Sequence, residues 1–314
     1  MIVGHGVLIS KASQSLVKFV EKSGIPVAST LHGLGAISSQ HKNYVGMVGM
    51  HGHYAPNKLT NKTDVLIAVG MRFDDRVTST IATYAPHAKI IHIDIDASEI
   101  NKNIKSYLGI VGDAKTTLTK MIDFIKKKDH QDWLNEFKKL ELFAKKVVNN
   151  QPKKLKITQQ EVVSMISDKT NGEAIIVADV GQNQIFSARY YQYKNPNSYI
   201  TSGGLGTMGF ALPASMGAVI AAPNKQVIAI IGDGGFQMTI QELGTIFQEK
   251  LPIKILILNN EYLGMVRQWQ EMFFEKRYSF THLQNPDFIA ISKGYGIPAK
   301  LVNEKKELEN AIDN

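Results

Sequence analysis

Short, nearly continuous apolar runs alternate along this chain with stretches whose apolar residues recur at helical spacing. Val65–Val69, Ile90–Ile95, Ala174–Ala178, Gln226–Ile231 and Lys254–Leu258 are rich in β-branched residues and bounded by Gly, Asp or Asn. A strand buried on both faces of a parallel sheet reads this way, because neither face alternates with polar residues. Helix candidates lie between them at Ser13–Lys22, Ala97–Asn103, Thr116–Lys127, Gln159–Ser167 and Ile240–Gln248. Thr158 and Glu161 predict a capping box at the fourth of these. The alternation predicts an α/β fold of two three-layer domains, each a mainly parallel sheet flanked by helices and joined by right-handed crossovers.

The pattern divides into residues 1–128 and 158–314, with 129–157 between them. Trp133, Phe137, Leu140, Leu142 and Phe143 are scattered there among lysines. Such a segment is either an interdomain helix with a solvated basic face or a nucleic-acid patch. Asp132, Glu136 and Glu141 break up the positive charge and no nucleic-acid motif accompanies it, so the helix is expected. The 314 residues are long enough for two cores, and 36 Lys+Arg against 28 Asp+Glu leave only a mild net charge of +8. With no cysteine, a disulfide scaffold, a thiolate zinc site, an iron–sulfur cluster and a cysteine nucleophile are excluded. The longest apolar stretch, Phe210 to Ala222, is interrupted by Pro213, Ser215 and Gly217, which argues against a membrane span. No secretory pattern opens the chain, so a cytoplasmic location is expected. Met1-Ile2-Val3 runs straight into a glycine turn, and the far end stops within a charged, helix-like pattern. A fragment with both ends missing is expected from this.

The strongest chemical signal is a pair of polar clusters at strand ends. Gly232-Asp233-Gly234 closes one strand and Asn259-Asn260 the next, with a single helix expected between them. Ligands of open α/β sheets bind at the carboxyl ends of parallel strands. A carboxylate and an amide carbonyl are hard oxygen donors suited to Mg²⁺, which commonly shares its shell with phosphate oxygens. Gly234 and Gly235 admit a phosphate to the backbone, and a helix beginning near Thr239 would aim its N-terminus at it. Each motif alone is a common turn; the combination is not.

At these residues the sequence resembles the thiamine-diphosphate enzymes. The resemblance implies that Asp233, the Asn260 side chain and the Tyr262 carbonyl hold Mg²⁺, which in turn holds the cofactor diphosphate. Thr201-Ser202-Gly203-Gly204-Leu205-Gly206-Thr207-Met208-Gly209 and the run from Asn259 through Met265 to Trp269 look like the acetohydroxyacid synthase (acetolactate synthase) family, catalytic large subunit. By that resemblance Met208 bends the cofactor; from the residues alone it is as readily a core methionine. Gln182 and Asn183 would donate to the diphosphate, with Gly206, Thr207, Leu263, Gly264 and Met265 also at the cofactor. Met265, Val266 and Trp269 have the spacing of a helix's core face, but the resemblance puts them at the substrate channel, where Trp269 selects the second 2-oxo acid. Gly235 stands where many relatives carry Ser, a departure expected to loosen little.

In the first block, Gly4-His5-Gly6 is not a full dinucleotide fingerprint. It is joined by Thr30-Leu31-His32-Gly33, by Gly49-Met50-His51, by Gly70-Met71-Arg72-Phe73-Asp74-Asp75-Arg76 and by Asp94-Ile95-Asp96. These are either packing glycines with surface ion pairs or a nucleotide site, in which Arg72 meets a phosphate and Asp94 a ribose hydroxyl. The set resembles the family's FAD-binding middle domain, with Arg76 reaching toward the active-site channel and FAD in a structural role. His51/His53 and His87/His92 lack the third ligand that a zinc site needs.

The resemblance implies decarboxylation of pyruvate and condensation of the two-carbon unit with pyruvate or 2-oxobutyrate, on the route to branched-chain amino acids. It also implies a homodimer or tetramer and a possible regulatory subunit, with neither nucleic acid nor membrane as partner. The family's amino-terminal pyrimidine-binding domain and its activating glutamate have no counterpart here, so the isolated chain is expected to be inactive. The competing readings are another enzyme of the same fold (pyruvate oxidase or glyoxylate carboligase) and a non-catalytic nucleotide-binding module.

Overall fold

A computed structural model describes residues 1–149 and 157–313. The chain forms two compact units, Met1–Lys153 with Gln192–Asn197 and Lys154–Tyr191 with Ser198–Asn314. Each is built on one sheet, and every strand pair in both sheets is parallel.

The first sheet contains β1 (Ile2–Val3), β2 (Val27–Ser29), β3 (Tyr44–Met47), β4 (Val65–Val69), β5 (Lys89–Asp94) and β6 (Leu108–Val111), in the order β3-β2-β1-β4-β5-β6. This is the doubly wound order, and it reverses direction between β1 and β4. One apolar cluster joins Val3, Val69 and Ile93 to Leu16, Phe19 and Val20 of the helix Ser13–Ser23 and Leu118 of the helix Ala114–Phe124. A second joins Leu66, Ala68 and Ile90 to Met71 and Phe73. The helix Gln131–Asn149 packs through Phe137 on Ala55 and Leu59 of the helix Tyr54–Thr60, so this part of the expected linker belongs to the first unit. The linker residues 150–156 lie outside the described residues.

One expected helix is replaced. Over 97–103 only the 3-10 turn Ala97–Glu99 forms, capped by Asp96. Asn101 then takes a left-handed φ of 63° and accepts hydrogen bonds from the Ser106 backbone and hydroxyl at 2.8 and 2.7 Å. A side chain that satisfies the local backbone competes with helix, and here it turns the chain toward β6.

The second sheet contains β7 (Ile175–Ala178), β8 (Tyr199–Thr201), β9 (Val227–Gly232) and β10 (Ile253–Leu258), in the order β10-β9-β7-β8. Its direction reverses between β7 and β9, so the carboxyl ends of those two strands define its crevice. The capping box forms as expected: Thr158 Oγ1 accepts from Glu161 N at 3.2 Å while Glu161 Oε2 accepts from Thr158 N at 3.1 Å. The helix expected near Thr239 is in fact two. Asp233–Met238 starts at the motif itself and ends at Thr239, and Glu242–Gln248 follows. Among the described residues no helix is long and apolar enough to cross a membrane.

Candidate active site

At the switch point of the second sheet, β7 delivers Asp179 and β9 delivers Asp233. Both are buried carboxylates, at 0% and 1% exposure. Their environments differ. Among the described residues Asp179 accepts only from peptide N–H groups, those of Val180 (2.8 Å), Gly209 (3.1 Å) and Ala211 (3.0 Å). Burial pushes its carboxyl up, and these three donors pull the other way without cancelling it.

Asp233 is held on one oxygen. Its Oδ2 accepts from Glu261 N at 2.7 Å and from Asn285 Nδ2 at 2.7 Å. Its Oδ1 makes no hydrogen bond among the described residues, so one oxygen of an oriented carboxylate stays available. Register brings the second motif alongside, because Gly232 pairs with Leu258 and Asn259 therefore follows β10 where Asp233 follows β9. Asn260 Oδ1 accepts from Tyr262 N at 3.1 Å, and Asn260 Nδ2 donates to Gln182 Oε1 at 3.3 Å. Glu261, between them, is held in the left-handed region at φ 59°, a conformation uncommon for a non-glycine and often found where a site dictates the backbone. Tyr262 is fixed in turn: the Arg267 guanidinium lies 4.1 Å from its ring centroid and 4.9 Å from that of Tyr278. The Asp233 carboxylate, the Asn260 amide oxygen and the Tyr262 carbonyl are hard oxygen donors of the kind that suits Mg²⁺. No group of three or more His, Cys, Asp or Glu is placed to hold a metal among the described residues.

The remaining expected residues divide. Gln182 reaches Asn260 and also donates to Gln268 Oε1 at 3.3 Å. Asn183 does something else. Both hydrogens of its side-chain amide are taken, by Asp179 O (2.8 Å) and Ile230 O (3.1 Å), so that amide ties β7 to β9 and only the backbone N–H of Asn183 could serve a diphosphate. Gly234 is enclosed by side chains: a Cβ there would stand 2.9 Å from Leu263 Cδ2 and 3.4 Å from Met208 Cε. At Gly264 a Cβ would stand 2.4 Å from Gln182 Oε1 and 2.9 Å from Asn260 Nδ2. Gly206 and Thr207 are exposed, and Thr207 N is held by Ser202 Oγ at 3.1 Å. Met265, Val266 and Trp269 lie on the helix Gly264–Phe273, which buries none of its residues; Val266 is 48% and Trp269 42% exposed. Within this chain that face is not core.

In the first unit the turns that follow β1, β2 and β4 meet at the β1/β4 switch point. A Cβ on Gly4 would meet Gly70 O at 2.3 Å and Met71 Cβ at 2.5 Å, and one on Gly33 would meet Val3 O at 2.3 Å. These glycines let neighbouring backbones touch. Thr30 N donates to Val3 O (2.9 Å), which seats the Thr30-Leu31 turn against β1. His5 and His32 stack at 5.5 Å. Arg72 Nε pairs with Asp74 Oδ2 at 2.9 Å, and Asp74 caps the helix Asp75–Thr78. Gly49 and Met50 lie on the Arg76 backbone, with Met50 N donating to Arg76 O at 2.7 Å, while the Arg76 side chain is largely exposed. His51 is half-buried, Phe73 is buried in the core against His92, and Asp94 Oδ1 accepts from Asp96 N at 3.0 Å. Ile95 is 72% exposed.

Two residues escaped the reading of the sequence. Asn285 sits in a loop without periodic pattern, and nothing local marks it. Asp179 ends an apolar run just as Asp233 does, and that parallel was the available signal.

Residues 1–121 match the family model described as thiamine pyrophosphate enzyme, central domain, and residues 179–314 match thiamine pyrophosphate enzyme, C-terminal TPP binding domain. Curated relatives include the acetolactate synthase large subunit of Lactococcus lactis subsp. lactis, 45% identical over 97% of this chain and 53% of the relative. That of Buchnera aphidicola subsp. Acyrthosiphon pisum is 43% identical over 98% and 55%, and the isozyme 3 large subunit of Escherichia coli K12 is 40% identical over 99% and 55%. The chain thus spans about half the length of the curated relatives it matches. With two domain models in their expected order and relatives along nearly all its residues, the chain belongs to the thiamine pyrophosphate enzymes and resembles their acetolactate synthase large subunits.

Proposed function

We propose that this chain provides the cofactor-diphosphate and metal site of an acetolactate synthase large subunit. The observation that carries the reading is Asp233: a buried carboxylate at a sheet switch point, oriented through Oδ2 by Glu261 N and Asn285 and left with Oδ1 unclaimed. Asp233 Oδ1, Asn260 Oδ1 and the Tyr262 carbonyl would hold Mg²⁺, and Gln182 stands beside Asn260 to steady the bound diphosphate. When bound, thiamine diphosphate supplies the electron sink for decarboxylating a 2-oxo acid. Met208, against Gly234, supplies bulk beneath the cofactor, and the apolar face of Met265, Val266 and Trp269 shapes the place of the second substrate.

The substrates in this reading are pyruvate and, as second 2-oxo acid, pyruvate or 2-oxobutyrate. FAD would lie across the β1/β4 switch point, where Gly4 and Gly70 let the two turns meet, with Arg72 near its phosphates and Asp94 at its ribose. Arg76 would reach the substrate channel. The working protein is a cytoplasmic homodimer or tetramer, with a possible regulatory subunit.

Titration calorimetry tests this reading. Thiamine diphosphate should bind the chain with Mg²⁺ present and give no heat with Mg²⁺ chelated. Metal-independent binding, or none, would sink the assignment. In the assembled enzyme, pyruvate should yield acetolactate without oxygen uptake.

A further inference from the structure

Asp179 has no task in the proposed chemistry, yet it is fully buried, and no lysine, arginine or histidine pairs with it among the described residues. An unpaired buried carboxylate is costly and persists only where several donors converge on it. Here they come from two segments that the sequence keeps apart. Ala211 opens the helix Ala211–Ala221, whose own N-cap residue, Phe210, offers no side-chain cap. The first amides of a helix lack partners and favour a negative charge, so Asp179 Oδ2 caps this helix from the end of β7. Asp179 Oδ1 meanwhile takes Gly209 N, the amide that directly follows Met208. Across from it, a Cβ on Gly235 would stand 2.5 Å from the same oxygen, so the carboxylate has room only because residue 235 is glycine. Thr239 closes the far side, with its hydroxyl donating to Gly209 O at 3.0 Å.

We propose that Asp179 is a positioning residue: it ties the Met208–Ala211 turn to the end of β7, packed against Gly235, and so gives the Met208 side chain one fixed place over the Gly234 backbone. The proposal rests on the function above only for the work Met208 does there. The placement itself is a property of this chain.

Methyl NMR of the chain labelled at methionine Cε tests it, with the Met208 signal assigned by its loss in Met208→Leu. Met208 Cε and Leu263 Cδ2 both lie within 3.4 Å of the point where a Gly234 Cβ would stand, so their methyls should share a cross-peak. Asp179→Asn keeps the shape but turns an amide donor toward a peptide N–H. The Met208 signal should then shift or broaden and lose that cross-peak, while Met47 and Met71, buried in the first unit, stay in place. Gly235→Ala pushes from the other side and should move the same signal, which supplies the readout should Asp179→Asn not fold. A folded Asp179→Asn or Gly235→Ala whose Met208 signal and cross-peak match the parent chain would overturn the proposal. Movement of Met208 in a chain that binds no Mg²⁺–thiamine diphosphate would uphold the positioning role and fail the functional reading instead.

Discussion

Asn285 donates its side-chain amide to Asp233 Oδ2 at 2.7 Å, and the same amide reaches Asn259 Oδ1 at 2.8 Å. One loop residue thus orients the end of β9 and the end of β10 together, and Gln237 Nε2 steadies it at 3.0 Å. Partners that orient a metal ligand typically govern 10–100-fold of metal affinity. Asn285→Ala should therefore weaken Mg²⁺-dependent thiamine diphosphate binding by about 10–100-fold in calorimetry. Unchanged affinity would show that Glu261 N alone suffices to aim the carboxylate.

Glycines in this chain differ sharply in what surrounds them. A methyl on Gly4 would run into the backbone of Gly70, so Gly4→Ala should cost the first unit about 1–3 kcal/mol through forced backbone shifts. Gly217 lies exposed inside the helix Ala211–Ala221 with nothing within 4 Å of an added Cβ. Gly217→Ala should stabilise the second unit by about 0.5–1 kcal/mol, because alanine loses less backbone freedom in a helix. Denaturant melts of the two variants should move in opposite directions.

Burial, chiefly, with His5 and the Arg72 guanidinium nearby, holds His32 below its ordinary value of 6.5. The folded state therefore prefers the neutral ring, and the unfolded chain takes up a proton first as pH falls. The contribution is complete above about pH 6.5 and is lost progressively below it. His41 is lowered in the same sense, chiefly by burial. Melting at pH 5.5 should lie below melting at pH 7.5, and His32→Gln should reduce, without abolishing, the difference. A parent chain equally stable at both values would contradict the sign.

Trp269 is 42% exposed and tilts against Phe273 at 4.9 Å, so it carries little of the fold. Trp269→Leu should leave stability within about 0.5 kcal/mol. In the assembled enzyme it should change the preference between 2-oxobutyrate and pyruvate by about 10–200-fold, the range one methylene commands in an apolar pocket. Competition between the two substrates measures it; an unchanged product ratio would remove Trp269 from the selecting wall.

Much of the architecture was legible from the chain alone, because burial on both faces writes a strand as a continuous apolar run. Val65–Val69 coincides with β4, and β7, β9 and β10 lie within a residue of their expected ends. The capping box at Thr158 and Glu161 was legible too, since it needs only residues three apart. The two- and three-residue strands β1, β2 and β8 leave too little pattern to read in full. Asp233, Asn259 and Asn260 announced themselves by residue type at strand ends. Which oxygen of Asp233 stays free, that Asn183 spends its side-chain amide on two backbone carbonyls, and that Asn285 and Asp179 stand beside these turns were decided by tertiary structure. These facts depend on strand order and register, which place segments distant in sequence within hydrogen-bonding reach, and no local pattern of residue types encodes that distance.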